Sequence, residues 1–117
     1  MDTSAQQAQP IPLFYGVIDI GLTVQDLTSG FDYVITCIQV GNGGDAAAFL
    51  TVADESDVTI FQVPIAGNTG GDNFPSTTLN VDMPIGPRTE LRLTATGNGI
   101  GVFIGGYALY PPSALHV

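Results

Sequence analysis

The chain has 117 residues, two Lys+Arg against eleven Asp+Glu, and a formal net charge of −9. Its cations are Arg88 and Arg92 alone, too few to neutralise a row of nucleic-acid phosphates or to hold an anionic lipid surface. Hydrophobic residues make up 44% and charged residues 11%, which excludes a disordered polar tail and fits one domain with one core.

Residues 1–12 are polar, rich in Gln and Ala, and end in Pro10-Ile11-Pro12. They read as an N-terminal arm. The first ten residues lack the basic and apolar regions of a signal peptide. No apolar run has the length of a membrane span. Synthesis in a cytoplasm, with Cys37 as a reduced structural thiol, is the expectation.

From residue 13 the dominant period is two. Ile18, Ile20, Leu22 and Val24 alternate with Asp19, Gly21 and Thr23, the pattern of one half-buried strand with the aliphatics inside. Thr28-Ser29-Gly30 is a turn. Residues 32–40 are apolar on both faces, Val34, Ile38 and Val40 on one and Tyr33, Ile35 and Cys37 on the other, as in a central strand. Residues 41–45, Gly-Asn-Gly-Gly-Asp, break it. Short strands follow over 46–52 and 58–64, separated by Asp54-Glu55-Ser56-Asp57. Residues 66–76 form the longest loop. Residues 77–83 alternate with Leu79, Val81 and Met83 inward, and Pro84-Ile85-Gly86-Pro87 reads as a tight turn. Residues 90–96 alternate again, Gly97-Asn98-Gly99 closes a hairpin, and 100–109 is a last apolar strand. Gly101, Gly105 and Gly106 in that strand signal a bulge or a close backbone approach. Residues 13–112 thus form an all-β domain, an antiparallel β-sandwich, jelly-roll-like, of seven to eight strands, with 113–117 as a tail. Strand order stays open between a jelly roll and an immunoglobulin-like sandwich.

Sites of known chemistry are poorly supplied. A single cysteine excludes an intrachain disulfide and a multi-cysteine zinc site. The three carboxylates of 54–57 could serve calcium with Asp72 and Asn73, but the EF-hand spacing is absent and a solvated acidic turn explains them. His116 is the one candidate general base, and it sits in the tail, far in sequence from Cys37. Asp19 and Asp82 lie on polar strand faces, as solvating acids do, and no Trp supports a glycosidase cleft. The glycines at 41–44 and 67–71 lack the lysine and helix of a phosphate loop. The histidine cluster of a cupin metal site is missing. The expectation is a protein without catalytic or metal residues and without a cofactor, not an enzyme.

Three features favour assembly instead. The charge density is low. The last strand is apolar on both faces, so it is either central or meets another subunit. Aromatics flank prolines at Pro10, Pro12, Phe14 and Tyr15 and again at Tyr107, Tyr110, Pro111 and Pro112. These eight are the candidate contacts with another subunit or a partner protein, because proline stiffens a segment and lowers the entropy lost on docking.

The run from Val24 to Leu109 resembles small virion-associated β-sandwich proteins of tailed bacteriophages. The likeness lies in DYVITCIQVGNGGDAAAFLTV, with its Val40-Gly41-Asn42-Gly43 strand ending, and in TTLNVDMPIGPRTELRLTATGNGIGVFIGGYAL. It implies a capsid decoration or cement protein, often a trimer at local three-fold axes, or a part of a fibre or spike. On that basis the expected partners are the major capsid protein and further copies of the chain, with no nucleic acid and no membrane, and the expected location is the outer capsid surface. The alternative is a carbohydrate-recognising module of a phage fibre, spike or other surface adhesin, with Phe74 as its exposed aromatic.

Overall fold

The structure is a computed structural model that describes residues 9–68 and 76–109. Eight strands follow one another: β1 Gln9–Ile18, β2 Gly21–Asp26, β3 Asp32–Asn42, β4 Ala48–Ala53, β5 Thr59–Ile65, β6 Ser76–Pro87, β7 Glu90–Ala95 and β8 Ile100–Leu109. They form two four-stranded sheets, β1-β8-β3-β6 and β2-β7-β4-β5, all neighbours antiparallel. The pairs β1·β8, β2·β7, β3·β6 and β4·β5 are those of one long hairpin rolled over on itself, which is the jelly roll.

The core lies between the sheets. Ile35, Ile38, Leu50, Val52, Leu91, Leu93, Ile100 and Ile104 are fully enclosed there. The two-residue period explains most of it: Ile104 of β8 sits between Phe14 and Ile38 in register, and Leu93 of β7 sits between Thr23 and Val52. β8 is apolar on both faces and proves to be an inner strand, between β1 and β3.

Bulges change which residues point inward. In β3 the ladder shifts at Thr36. Tyr33 and Ile35 before the shift, and Ile38 and Val40 after it, therefore all face the core, while Cys37 turns outward and is only half-buried. The shift opposes Gly105-Gly106, and a Cβ on Gly106 would collide with the Val34 carbonyl oxygen. The expected close backbone approach is therefore here. In β1 the ladder shifts at Leu13, so Leu13 and Phe14 are both buried.

Three boundaries differ from the sequence reading. Residues 9–12 are not arm but the start of β1, paired with 105–108. Residues 18–24 are not one strand, since the chain turns at Asp19-Ile20 into β2. The 84–87 segment continues β6 instead of turning, because β6 is an edge strand where prolines are tolerated and Gly86, at φ 73°, absorbs the irregularity.

Candidate functional site

The corner between β1 and β2 is fixed by two crossed hydrogen bonds. Gly99 N–H donates to Asp19 Oδ1 at 3.0 Å, and Ile20 N–H donates to Asn98 Oδ1 at 3.0 Å. They tie the corner to the β7–β8 turn. Gly21, at φ 116°, then redirects the chain into the second sheet. β2 pairs with β7 so that Thr23 lies opposite enclosed Leu93 and Gln25 opposite enclosed Leu91. Cross-strand partners share a face. Leu22 and Val24, opposite Thr94 and Arg92, consequently face outward.

This overturns the expected burial of that aliphatic set. Of Ile18, Ile20, Leu22 and Val24, only Ile18 is in the core. Exposure is 82% at Tyr15, 74% at Val17, 65% at Ile20, 50% at Leu22 and 45% at Val24. β1 and β2 are the edges of the two sheets on one long side of the sandwich. Tyr15 and Val17 lie on the outer face of the first sheet and Leu22 and Val24 on the outer face of the second, with Ile20 at the corner between them.

The edges are not equally guarded against further pairing. β1 carries Pro10 and Pro12, β5 carries Pro64, and β6 carries Pro84 and Pro87, each lacking an N–H. β2, Gly-Leu-Thr-Val-Gln-Asp, has no proline.

The outer face of the first sheet is uncharged over three complete rows. One row is Val17, Gly101, Gly41 and Ser76. The next is Tyr15, Phe103, Gln39 and Thr78, and the third is Pro12, Gly105, Cys37 and Asn80. Tyr15 and Phe103 meet edge to face, with ring centroids 6.1 Å apart and planes at 73°. The outer face of the second sheet differs. There Arg92 binds Glu90 at 3.0 Å and approaches Asp57 at 3.6 Å, and Asp26 lies opposite Glu90.

The acidic turn at 54–57 is built into the fold. Asp54 Oδ1 accepts the N–H groups of Ser56 and Val58 at 2.8 and 3.0 Å, and Oδ2 accepts Arg88 Nη1 at 2.8 Å. Glu55 Oε2 accepts the same Nη1 at 2.9 Å, and its Oε1 accepts Thr89 N–H at 3.0 Å. The Val58 N–H above all, with Ser56 N–H and the Arg88 charge, holds the Asp54 carboxyl below its ordinary value against the cost of desolvation. Thr89 N–H and Arg88 do the same for Glu55. These oxygens are engaged in closing the β4–β5 turn onto the β6–β7 turn. Among the described residues no three of His, Cys, Asp and Glu gather as a metal-binding group.

The candidate contact residues separate. Tyr15 and Pro12 are exposed on the first sheet, and Tyr107 is half-buried on the same face, with Pro10 as its backbone partner. Phe14 is a correction: the β1 bulge turns it into the core at 8% exposure, out of reach of any partner. Tyr110, Pro111 and Pro112, like Asp72, Asn73, Phe74 and His116, lie outside the described residues. The sequence reading missed Val17, Ile20, Leu22 and Val24 as surface residues. The signal that could have found them is the Asp19-Ile20-Gly21 corner in the middle of their alternation.

No protein-family model matches the chain, and no curated protein matches it. Among solved structures, Drosophila NLP-core, whose crystal structure was described for pentamer formation and histone binding, is similar at 19% identity and a TM-score of 0.47, over 88% of this chain and 98% of its own. A likeness this distant carries nothing about partners or assembly over to this chain.

Proposed function

We propose that this chain is a structural protein of a virion: a bacteriophage capsid decoration protein that associates as a homotrimer and sits on the outside of the head shell, bound to the major capsid protein. The observation that carries the reading is the outward aliphatic face of β2, Leu22 and Val24, beside the exposed Ile20 of the β1–β2 corner. Leu22 and Val24 alternate as core residues do, yet no described residue encloses them. Exposed aliphatics grouped on one face and rimmed by polar residues mark a protein–protein contact. Both arginines are already paired with the chain's own acids, so the remaining surface is anionic and docks best on a basic patch. Binding of that kind weakens as salt rises.

The test is the mass of the purified protein by size exclusion with light scattering, together with electron microscopy of its native particle. A trimer in solution and density on the outer shell are the expected results. Leu22→Ser combined with Val24→Ser is expected to reduce the mass to that of a monomer without unfolding the domain. A wild-type protein that is monomeric and never associates with capsids would sink the proposal.

A further inference from the structure

We propose that the outer face of the first sheet is a binding groove for an uncharged carbohydrate chain, with Tyr15 as its stacking platform. A groove of ≈ 480 Å³ runs across β1, β8, β3 and β6, between Tyr15 and Val17 on one side and Ser76 and Thr78 on the other, over a floor at Gly101. That is a ligand-sized volume. A second hollow, of ≈ 410 Å³, adjoins it on the same face and is lined by Pro12, Cys37 and Gly105. Phe103 borders both, so the two hollows are neighbours along the same sheet face.

The glycines of the floor have different causes. Gly105 has a packing cause, since a Cβ there would come within 2.8 Å of the Phe103 ring and push it aside. Gly101 is not: an added Cβ meets nothing within 4 Å, and the backbone is not in the left-handed region. Glycine weakens the interior of a strand, and one without an internal cause fits a place where a ligand approaches the backbone closely.

The chemistry of the walls selects the ligand. Tyr15 is exposed, flat, and braced by the edge contact with Phe103. It offers an apolar surface to the C–H face of a sugar ring. Gln39, Ser76 and Thr78 supply amide and hydroxyl donors and acceptors for the hydroxyl rim. Among the described residues no Asp, Glu, Lys, Arg or His lines the groove. An ionised ligand would find no counter-charge there, and an anion would in addition approach a molecule of net charge −9.

The test is an amide NMR titration of the intact protein. The probes are soluble neutral gluco-, manno- and galacto-oligosaccharides, sialylated and sulfated oligosaccharides, and a set of aliphatic and proline-rich peptides. The expected result is a saturable shift with a neutral oligosaccharide by about 10 mM, centred on Tyr15, Gln39, Gly101 and Phe103. Tyr15→Ala should weaken it by about tenfold or more. Gly101→Val, which fills the groove away from β2, should abolish it while leaving the oligomeric mass unchanged, so this site and the β2 contact are tested separately. No shift with any neutral probe, binding only to anionic sugars or peptides, or unchanged affinity in both variants would overturn the proposal.

Discussion

Arg88 and Asp54 are joined by a 2.8 Å Nη1–Oδ2 ion pair, and the other oxygen of Asp54 caps the turn that starts β5. One carboxylate thereby couples the β4–β5 connection to the β6–β7 connection. The ordinary carboxyl values are 3.8 for Asp54 and 4.5 for Glu55, and both are lowered in the fold. The unfolded chain therefore takes up protons first as pH falls. The stabilisation is complete above those ordinary values and is lost as pH drops through the lowered folded ones. In urea titrations, the midpoint should stay level from pH 7 to about pH 5 and then fall. Asp54→Asn should lower the midpoint at pH 7 and flatten the acid limb. A variant curve parallel to the wild type would contradict this account.

Asn42 is a fully buried polar residue, at 1% exposure. Its Nδ2 donates to the carbonyls of Ala46 and Ala66 at 2.9 and 3.1 Å, and its Oδ1 accepts Gly44 N–H at 2.8 Å. It thus fixes the return from β3 to β4 and the exit from β5. Asn42→Ala leaves three backbone groups without this partner and is expected to cost about 2–3 kcal/mol, measured by urea denaturation. Asn42→Asp should not rescue it, because both donated bonds are lost.

Two glycines of β8 should respond in opposite ways. Gly106→Ala forces a methyl into the Val34 carbonyl and is expected to cost about 3 kcal/mol or more, since backbone cannot yield as a side chain does. Gly101→Ala meets open space and is expected to be neutral or to stabilise by up to about 1 kcal/mol. Thermal denaturation of the two variants side by side decides it. Equal losses would mean that strand glycine, not local space, is the governing factor.

Aliphatic residues one strand apart should also differ. Leu93→Ala empties a fully enclosed position and is expected to cost about 2–5 kcal/mol. Leu22→Ser, on the outward face of the neighbouring strand, should change the stability of the isolated subunit by no more than about 0.5 kcal/mol. Its effect is expected in the oligomeric mass instead. A large loss of subunit stability at Leu22 would mean that β2 packs inward.

Much of the architecture was legible because strand periodicity is local. The alternations at 77–83 and 90–96 and the two-faced β8 stand where the sequence put them, while the break expected over 41–45 begins only after Asn42, the last residue of β3. The bulges at Leu13 and Thr36 were not legible, since each arises from register against a distant strand. They decide that Phe14 is buried and Cys37 is not. Tyr15 and Pro12, singled out in the sequence, do lie exposed on the first sheet. The aliphatics of β2 were assigned to the wrong side, because alternation marks a face but not which face the partner strand covers.

The sequence by itself determined that this is one all-β domain, weakly charged and acidic, with two arginines that cannot serve polyanions. Those properties follow from composition and from a period of two, and both are fixed without knowing any partner strand. The tertiary structure decided the rest. Rolling the hairpin into a jelly roll paired β2 with β7 in the register that turns Leu22 and Val24 outward. It also gathered twelve uncharged positions from four strands onto one sheet face. Such a surface depends on register between residues far apart in the chain, and no local pattern encodes it.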